Sequence, residues 1–333
     1  MKQITFLAVL LMVSITAHAD DWMSRLNDST PITQLSIPGT HDTGTGNGFT
    51  EEWAEKALTF AQTQDCSLAE QLKCGVRAFD LRPAFITDAE GAHLHIFHGL
   101  MKTQLNYEKA LYQLCDFLDA HPTEFAFIVQ RHETDGDGND KGWHKAMNDF
   151  LHQSRIMSHI IEYNSSLTVG DVRGKIIFLS RVRYAEQPVG AFIDDWTSDE
   201  DFAEQAKAKI VNDRGTSPLY VQDFYDTRGE DINIKLACIE KMLRAPKTDN
   251  PLVINHCSGY SASVMIGNDE FATTDGYRAN ASVTNTVMIK MLRDYRGATG
   301  LVMMDFAAVN KSGRYNVNGK KLIKALIKQN FKK

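Results

Sequence analysis

Short apolar runs bounded by turn residues recur along the chain. They are Leu35-Ser36-Ile37, Val76 to Leu81, Leu94 to Phe97, Phe125 to Val129, Ile176 to Leu179, Leu219-Tyr220-Val221, Leu252-Val253-Ile254 and Leu301 to Met304. Most are too short for helices and rich in Val, Ile, Leu and Phe, which suits strands buried on both faces of a parallel sheet. Between them, Tyr107 to Ala120, Asp231 to Leu243, Asn280 to Leu292 and Lys320 to Phe331 carry apolar residues at helical spacing, and Pro122 halts the first. Strands alternating with helices predict an α/β fold. Eight strands over this length predict one (β/α)8-type TIM barrel, irregular because no helix fits between the second and third runs. No repeat, low-complexity stretch or Pro/Gly-rich linker divides the chain, so residues 20–333 are expected to form a single domain.

In a parallel barrel, functional side chains sit just beyond the carboxyl ends of the strands. Every run obeys this. The first is followed by His41 and Asp42; the second closes with Asp80 and Arg82, the third with His98, the fourth with Arg131 and Glu133. Arg181 and Arg183 follow the fifth, Asp223 and Tyr225 the sixth, His256 the seventh and Asp305 the eighth. One charged group after a strand means nothing, but such groups after all eight predict a single polar pocket.

Composition narrows the chemistry. The formal net charge of -6 argues against a nucleic-acid partner. At the N-terminus, Lys2, the apolar run from Ile4 to Ile15 and Ala17-His18-Ala19 read as a secretory signal peptide over residues 1–19. The run is shorter than the roughly 20 residues a spanning helix needs. A secreted or periplasmic location follows, where disulfides are permitted. Of the five cysteines, Cys66 and Cys74 are the expected pair, and Cys257, next to His256, is read as structural.

Two histidines, several carboxylates and an arginine form a coherent set. A neutral imidazole takes a proton while a protonated one gives a proton back. Asp305 and Asp42 are candidate orienters. The planar fork of Arg82 suits two phosphate oxygens and the charge of a phosphorane-like transition state. Acid, base and clamp suggest phosphodiester cleavage, with no external nucleophile needed if a neighbouring substrate hydroxyl attacks. The rival is a divalent-metal site built from the same His, Asp and Glu ligands. A fixed cation at Arg82 weighs against it, and a structural ion-pair ring ranks last.

The stretch Leu35 to Thr43 resembles the first active-site segment of the bacterial phosphatidylinositol-specific phospholipases C. Gly75 to Arg82, Ile96 to Gly99, Asp171 to Lys175, Val221 to Tyr225, Asn255-His256 and Met304 to Phe306 resemble further segments, in the family's order from about Trp22 to the C-terminus. The resemblance implies a distorted TIM barrel that needs no cofactor and acts on phosphatidylinositol in membranes. His41 would be the base toward the inositol 2-hydroxyl and His98 the acid toward the diacylglycerol oxygen. Arg82 would stand where calcium stands in eukaryotic relatives. Asp305 would orient His41, and Asp42 would support His98 and Arg82. Asp80 would lie behind them, and Arg131, Arg181, Asp223 and Tyr225 would hold the inositol ring. Arg131 stands where familiar members have lysine, and the segment after the fifth strand diverges, leaving Arg181 or Arg183 for that role. The implied products are diacylglycerol and inositol 1,2-cyclic phosphate, made by a monomer.

Other features have plainer readings. His93 and His95 are expected to be ordinary strand or loop histidines. Asp135 to Asp140 looks like a calcium loop but lacks the Gly at position six and the Glu at position twelve. Glu133 is expected to be a polar neighbour of the pocket, and His256 a structural residue. Lys320 to Lys333 reads as a terminal helix closing the barrel rather than a membrane-surface helix. Trp53 suits either a membrane-dipping rim or the core. A catalytically silent inositol-lipid-binding protein would have lost His41, Arg82, His98 or Asp305, and none is lost. A different head group stays open.

Overall fold

The computed structural model describes residues 19–50, 61–138, 140–198, 208–225, 231–260, 263–266, 269–272 and 274–332. Trp53 and residues 1–18 of the expected leader lie outside these. Strand β1 (Ser36–Thr40) is buried along its whole length and pairs in parallel with β2 (Ala78–Leu81) on one side and β15 (Gly300–Met304) on the other. Its Gly39 permits the close approach: a Cβ there would meet the Met303 sulfur at 2.5 Å.

Among the described residues, nine strands close a ring. From β1 it runs through β2, β6 (Ala126–Gln130), β8 (Ile176–Ser180), β9 (Ala191–Asp194), β10 (Ala208–Asn212), β11 (Gly215–Gln222), β12 (Leu252–His256) and β15 back to β1. The two-residue β7 (Ile160–Ile161) lies against the lower half of β8, below β9. The fold is therefore the irregular α/β barrel expected, with two differences in its strands. First, β9 and β10 both lie in segments the apolar runs did not mark, and β10 runs antiparallel to both of its neighbours.

The second difference concerns the third apolar run, which lies outside the ring. It falls in β4 (Gly91–His98), the middle of a separate antiparallel sheet with β3 (Pro83–Asp88) and β5 (Met101–Asn106). Topology explains this: a parallel neighbour of β2 needs a long crossover, and Pro83 to Gly91 has room only for a hairpin. The remaining pair, β13 (Ser263–Ile266) and β14 (Asp269–Ala272), forms a two-stranded hairpin.

The helices stand close to the expected positions, at Tyr107–Ala120, Asp231–Arg244, Thr274–Asp294 and Gly319–Gln329. The last buries Leu322, Ile323, Leu326 and Ile327, and its following residue Asn330 bonds the Ser36 amide at 2.7 Å. That helix closes the barrel beside β1. Among the described residues no helix is long and apolar enough to cross a membrane.

All five cysteines are free, so the expected Cys66–Cys74 bridge is not formed. The helix Leu68–Cys74 lies between the two. At 1.5 Å per residue it spans about 9 Å from Leu68 to Cys74, more than the roughly 7 Å that a disulfide allows between Cα atoms.

Candidate active site

At the carboxyl end of the ring a cavity of about 270 Å³ is lined by His41, Asp42, Arg82, His98, Arg131 and Arg181, with Ser198, Asp223, Tyr225 and Tyr277 among its other walls. Asp80 and Asp305 stand behind it, both buried.

His41 leaves β1 with its amide on the Met304 carbonyl of β15. Asp42 then adopts the left-handed conformation (φ 43°, ψ 53°), rare for a residue with a side chain. The Gln64 side-chain amide holds this turn by bonding the His41 and Met304 carbonyls, each at 2.9 Å. The turn points both side chains at the cavity. Nδ1 of His41 lies 2.9 Å from Asp305 Oδ1, and its Nε2 lies 3.1 Å from Asp42 Oδ2.

Arg82 follows β2 and is 9% exposed. Its Nε is 2.8 Å from Asp42 Oδ1, and its Nη2 is 2.8 Å from Asp80 Oδ2. A buried guanidinium between two carboxylates is compensated, as such a group must be. The Asp42 contacts are ionic rather than directed, because neither of its oxygens accepts a well-angled hydrogen bond.

His98 reaches the site from the small sheet. The hairpin puts the Phe97 amide on the Arg82 carbonyl at 3.0 Å, so the next residue arrives beside Arg82. Nδ1 of His98 donates to the Ala61 carbonyl at 2.6 Å, which leaves Nε2 facing Asp42 Oδ2 at 3.4 Å. The two imidazoles thus present their Nε2 atoms to one carboxylate oxygen. An incoming ligand would meet both.

Charge is tuned by these neighbours. Burial lowers the His41 pKa, but Asp42 and Asp305 together outweigh it and Arg82, and the result is about 9. Burial raises Asp42, but Arg82, His41 and His98 more than reverse this. Asp80 is held low chiefly by Arg82 against its own burial. Burial leaves Asp305 above the usual carboxylate range despite His41.

The far wall carries the other candidates. Trp196 Nε1 donates to Asp223 Oδ2 at 3.0 Å, and the Arg181 guanidinium stacks 3.9 Å over the Trp196 ring. Arg183 is instead turned to the Glu186 carbonyl and the Phe192 ring. Arg131 lies in the wall with Nη2 on both Glu133 oxygens, at 3.0 and 3.1 Å. Tyr225 is 39% exposed at the rim. His256 is buried edge-on to His41, ring centres 6.0 Å apart, and burial pushes its pKa down to about 4.

His93 and His95 lie in the small sheet, bonded to each other and to backbone carbonyls. In the stretch Asp171 to Lys175, Asp171 caps a short helix and Arg173 ties together the Met23, Leu26 and Thr123 carbonyls, so this segment braces the fold. Asp137 of the calcium-like stretch is engaged with His132. Its Asn139 lies outside the described residues.

His41, Asp42 and Asp80 offer three ligand atoms within 4.8 Å of one another, the one metal-compatible cluster among the described residues. Both carboxylates already carry the Arg82 guanidinium, so a divalent ion would have to displace it. Sequence reasoning missed the Ala61 carbonyl, Gln64, Trp196, Ser198, Tyr260 and Tyr277. None of them follows an apolar run immediately, and only the fold brings them to the strand ends.

No family model matches the chain. It is similar to the 1-phosphatidylinositol phosphodiesterase of Staphylococcus aureus, 27% identical over 328 residues, covering 92% of this chain and 94% of the relative. With the protein of the same name from Listeria monocytogenes it is 28% identical over 295 residues, 86% of this chain and 80% of the relative. The human PI-PLC X domain-containing protein 1 is 32% identical over 135 residues, but these are only 34% of this chain and 42% of that protein. The fold is similar to that of the phosphatidylinositol-specific phospholipase C from Listeria monocytogenes, with a TM-score of 0.64 at 25% identity over 94% of this chain and 98% of the other. The resemblance read from the sequence motifs is thus borne out in sequence and in fold alike: over nearly its whole length the chain is a homologue of the bacterial phosphatidylinositol-specific phospholipases C.

Proposed function

We propose that this chain is a phosphatidylinositol-specific phospholipase C that splits its substrate by attack of the inositol 2-hydroxyl on the adjacent phosphorus. The observation that carries this reading is the convergence of the His41 and His98 Nε2 atoms on Asp42 Oδ2, with Arg82 on the same carboxylate. A phosphodiester entering there meets an imidazole on either side and a fixed cation.

His41 Nε2 takes the 2-hydroxyl proton while that oxygen bonds to phosphorus. Asp305 steadies the imidazolium so formed. Arg82 stabilises the charge growing on the non-bridging oxygens. The bond to the diacylglycerol oxygen breaks, and His98 Nε2 supplies the proton that oxygen needs. Asp42 aligns His98 and Arg82, and Asp80 braces Arg82 from behind. Arg131, Arg181, Asp223 and Tyr225 hold the inositol hydroxyls and ring face. The products are diacylglycerol and inositol 1,2-cyclic phosphate. Residues 20–333 carry the activity as a secreted or periplasmic monomer that docks transiently on the membrane.

The test is to incubate the chain with phosphatidylinositol vesicles and excess EDTA and to follow phosphorus NMR. A five-membered cyclic phosphate signal is the expected result. The cluster of His41, Asp42 and Asp80 supports one other reading, a metal-dependent phosphodiesterase. Inactivity in EDTA that calcium reverses would favour it and overturn the role given to Arg82.

A further inference from the structure

Tyr277 stands out among the cavity's lining residues. It comes from the helix Thr274–Asp294, and its ring lies 6.2 Å from that of His98 and 6.3 Å from that of Tyr260. The residue is only 6% exposed. A tyrosine so deeply set normally gives its hydroxyl a hydrogen-bond partner. Among the described residues this hydroxyl has none, yet it is not sealed in the interior, so it opens on the cavity. Burial first, then the Asp42 and Asp305 carboxylates against Arg82, holds the phenol well above its ordinary range. It therefore remains a hydrogen-bond donor at any working pH. Its electrostatic neighbours Asp42, Asp305 and Arg82 are the groups that surround the reacting phosphate, and its ring neighbour His98 fixes the side of approach.

We infer that Tyr277 is a further catalytic residue, donating a hydrogen bond to the non-bridging phosphate oxygen on the leaving-group side. The inference rests on the phosphodiester reading above. Arg82 meets the phosphate from the side on which Asp42 and Asp80 hold it. Tyr277 supplies a neutral donor from the wall, at a non-bridging oxygen whose charge grows as the 2-hydroxyl oxygen bonds to phosphorus. Being neutral, it would add stabilisation in the transition state without pulling Asp42 away from Arg82.

Tyr277→Phe removes the hydroxyl and keeps the ring packed on His98 and Tyr260. The variant and the unmodified chain would be assayed on phosphatidylinositol and on its two phosphorothioate diastereomers, with thermal unfolding as the check on folding. The expected result is a fall in kcat of about 10- to 100-fold with KM nearly unchanged, on the scale of losing one positioned donor. Sulfur is a poor acceptor, so the unmodified chain should reject the diastereomer with sulfur facing Tyr277, and the variant should reject it less. An unchanged kcat, or a fall in kcat with the diastereomer preference intact, would reduce Tyr277 to packing and overturn the inference alone. Absence of turnover by the unmodified chain would overturn the phosphodiester reading and this inference together.

Discussion

Nδ1 of His41 lies 2.9 Å from Asp305 Oδ1 across 264 positions of chain, and the other Asp305 oxygen accepts the Gly259 amide at 3.2 Å. Asp305 directly follows β15 and His41 directly follows β1, and the register of those two strands sets Thr40 opposite Met304. The pairing is thus a product of strand order rather than of local sequence. Nε2 is 3.1 Å from Asp42 in an ionic contact, so the ring lies between two carboxylates that both favour its protonated form. In the proposed mechanism substrate must therefore free Nε2 and draw His41 out of its favoured protonated form before it can act as a base.

The pH profile should show this. A base must be deprotonated, so kcat/KM should rise with pH through the His41 pKa of about 9 rather than through the usual 6.5. Asp305→Asn removes one of the two carboxylates that raise that value. Its acid limb should move down toward the ordinary histidine range while kcat falls by about 10² or more. An acid limb near 6.5 in the unmodified chain would contradict the charge arrangement described.

The two histidines should separate by leaving group. On phosphatidylinositol, His41→Ala and His98→Ala should each lose on the order of 10² to 10⁴ in kcat, and His93→Ala should lose little. A nitrophenyl ester of inositol phosphate departs without a proton. His98→Ala should recover most of its activity on that substrate, and His41→Ala should not. Equal rescue of both would remove the assignment of His98 to the leaving-group side.

Much of this site was legible because a parallel barrel collects strand-end residues whatever their separation in sequence. His41, Asp80, Arg82, Asp223 and Asp305 announced themselves as polar groups ending apolar runs. The third run marked His98 for the wrong reason. Its strand is not in the ring, and a hairpin back from Arg82 delivers the imidazole instead. The segment of β10 escaped notice because its residues alternate between buried and partly exposed, which blurs the apolar signal of a doubly covered strand. Tyr277 sits in the first turn of a helix and Ala61 contributes only a carbonyl, so neither carries a strand-end signature.

Arg82 is predicted to be intolerant of lysine. It makes separate contacts through Nε and Nη2 with Asp42 and Asp80, and a lysine ammonium cannot hold both and still face a phosphate. Arg82→Lys should lower kcat by about 10² to 10³ with a small change in KM. Added calcium should not restore it. Restoration would mean that the vacated space between Asp42 and Asp80 is a competent ion site.

Leu100 offers a test of membrane contact. It lies two residues beyond His98, in the turn between β4 and β5, and is 69% exposed. A single exposed leucine is ordinary on a protein surface, but this one is two residues from His98, the group proposed to protonate the diacylglycerol oxygen. Burying such a side chain in lipid is worth about 1.5 to 3 kcal/mol when complete. Leu100→Asp should therefore lower activity on phosphatidylinositol vesicles by about tenfold, through weaker vesicle binding in a sedimentation assay. Activity on a soluble short-chain substrate below its micelle concentration should stay the same, because the cavity is untouched. Equal losses on both substrates would place Leu100 in the support of His98 rather than at the lipid surface.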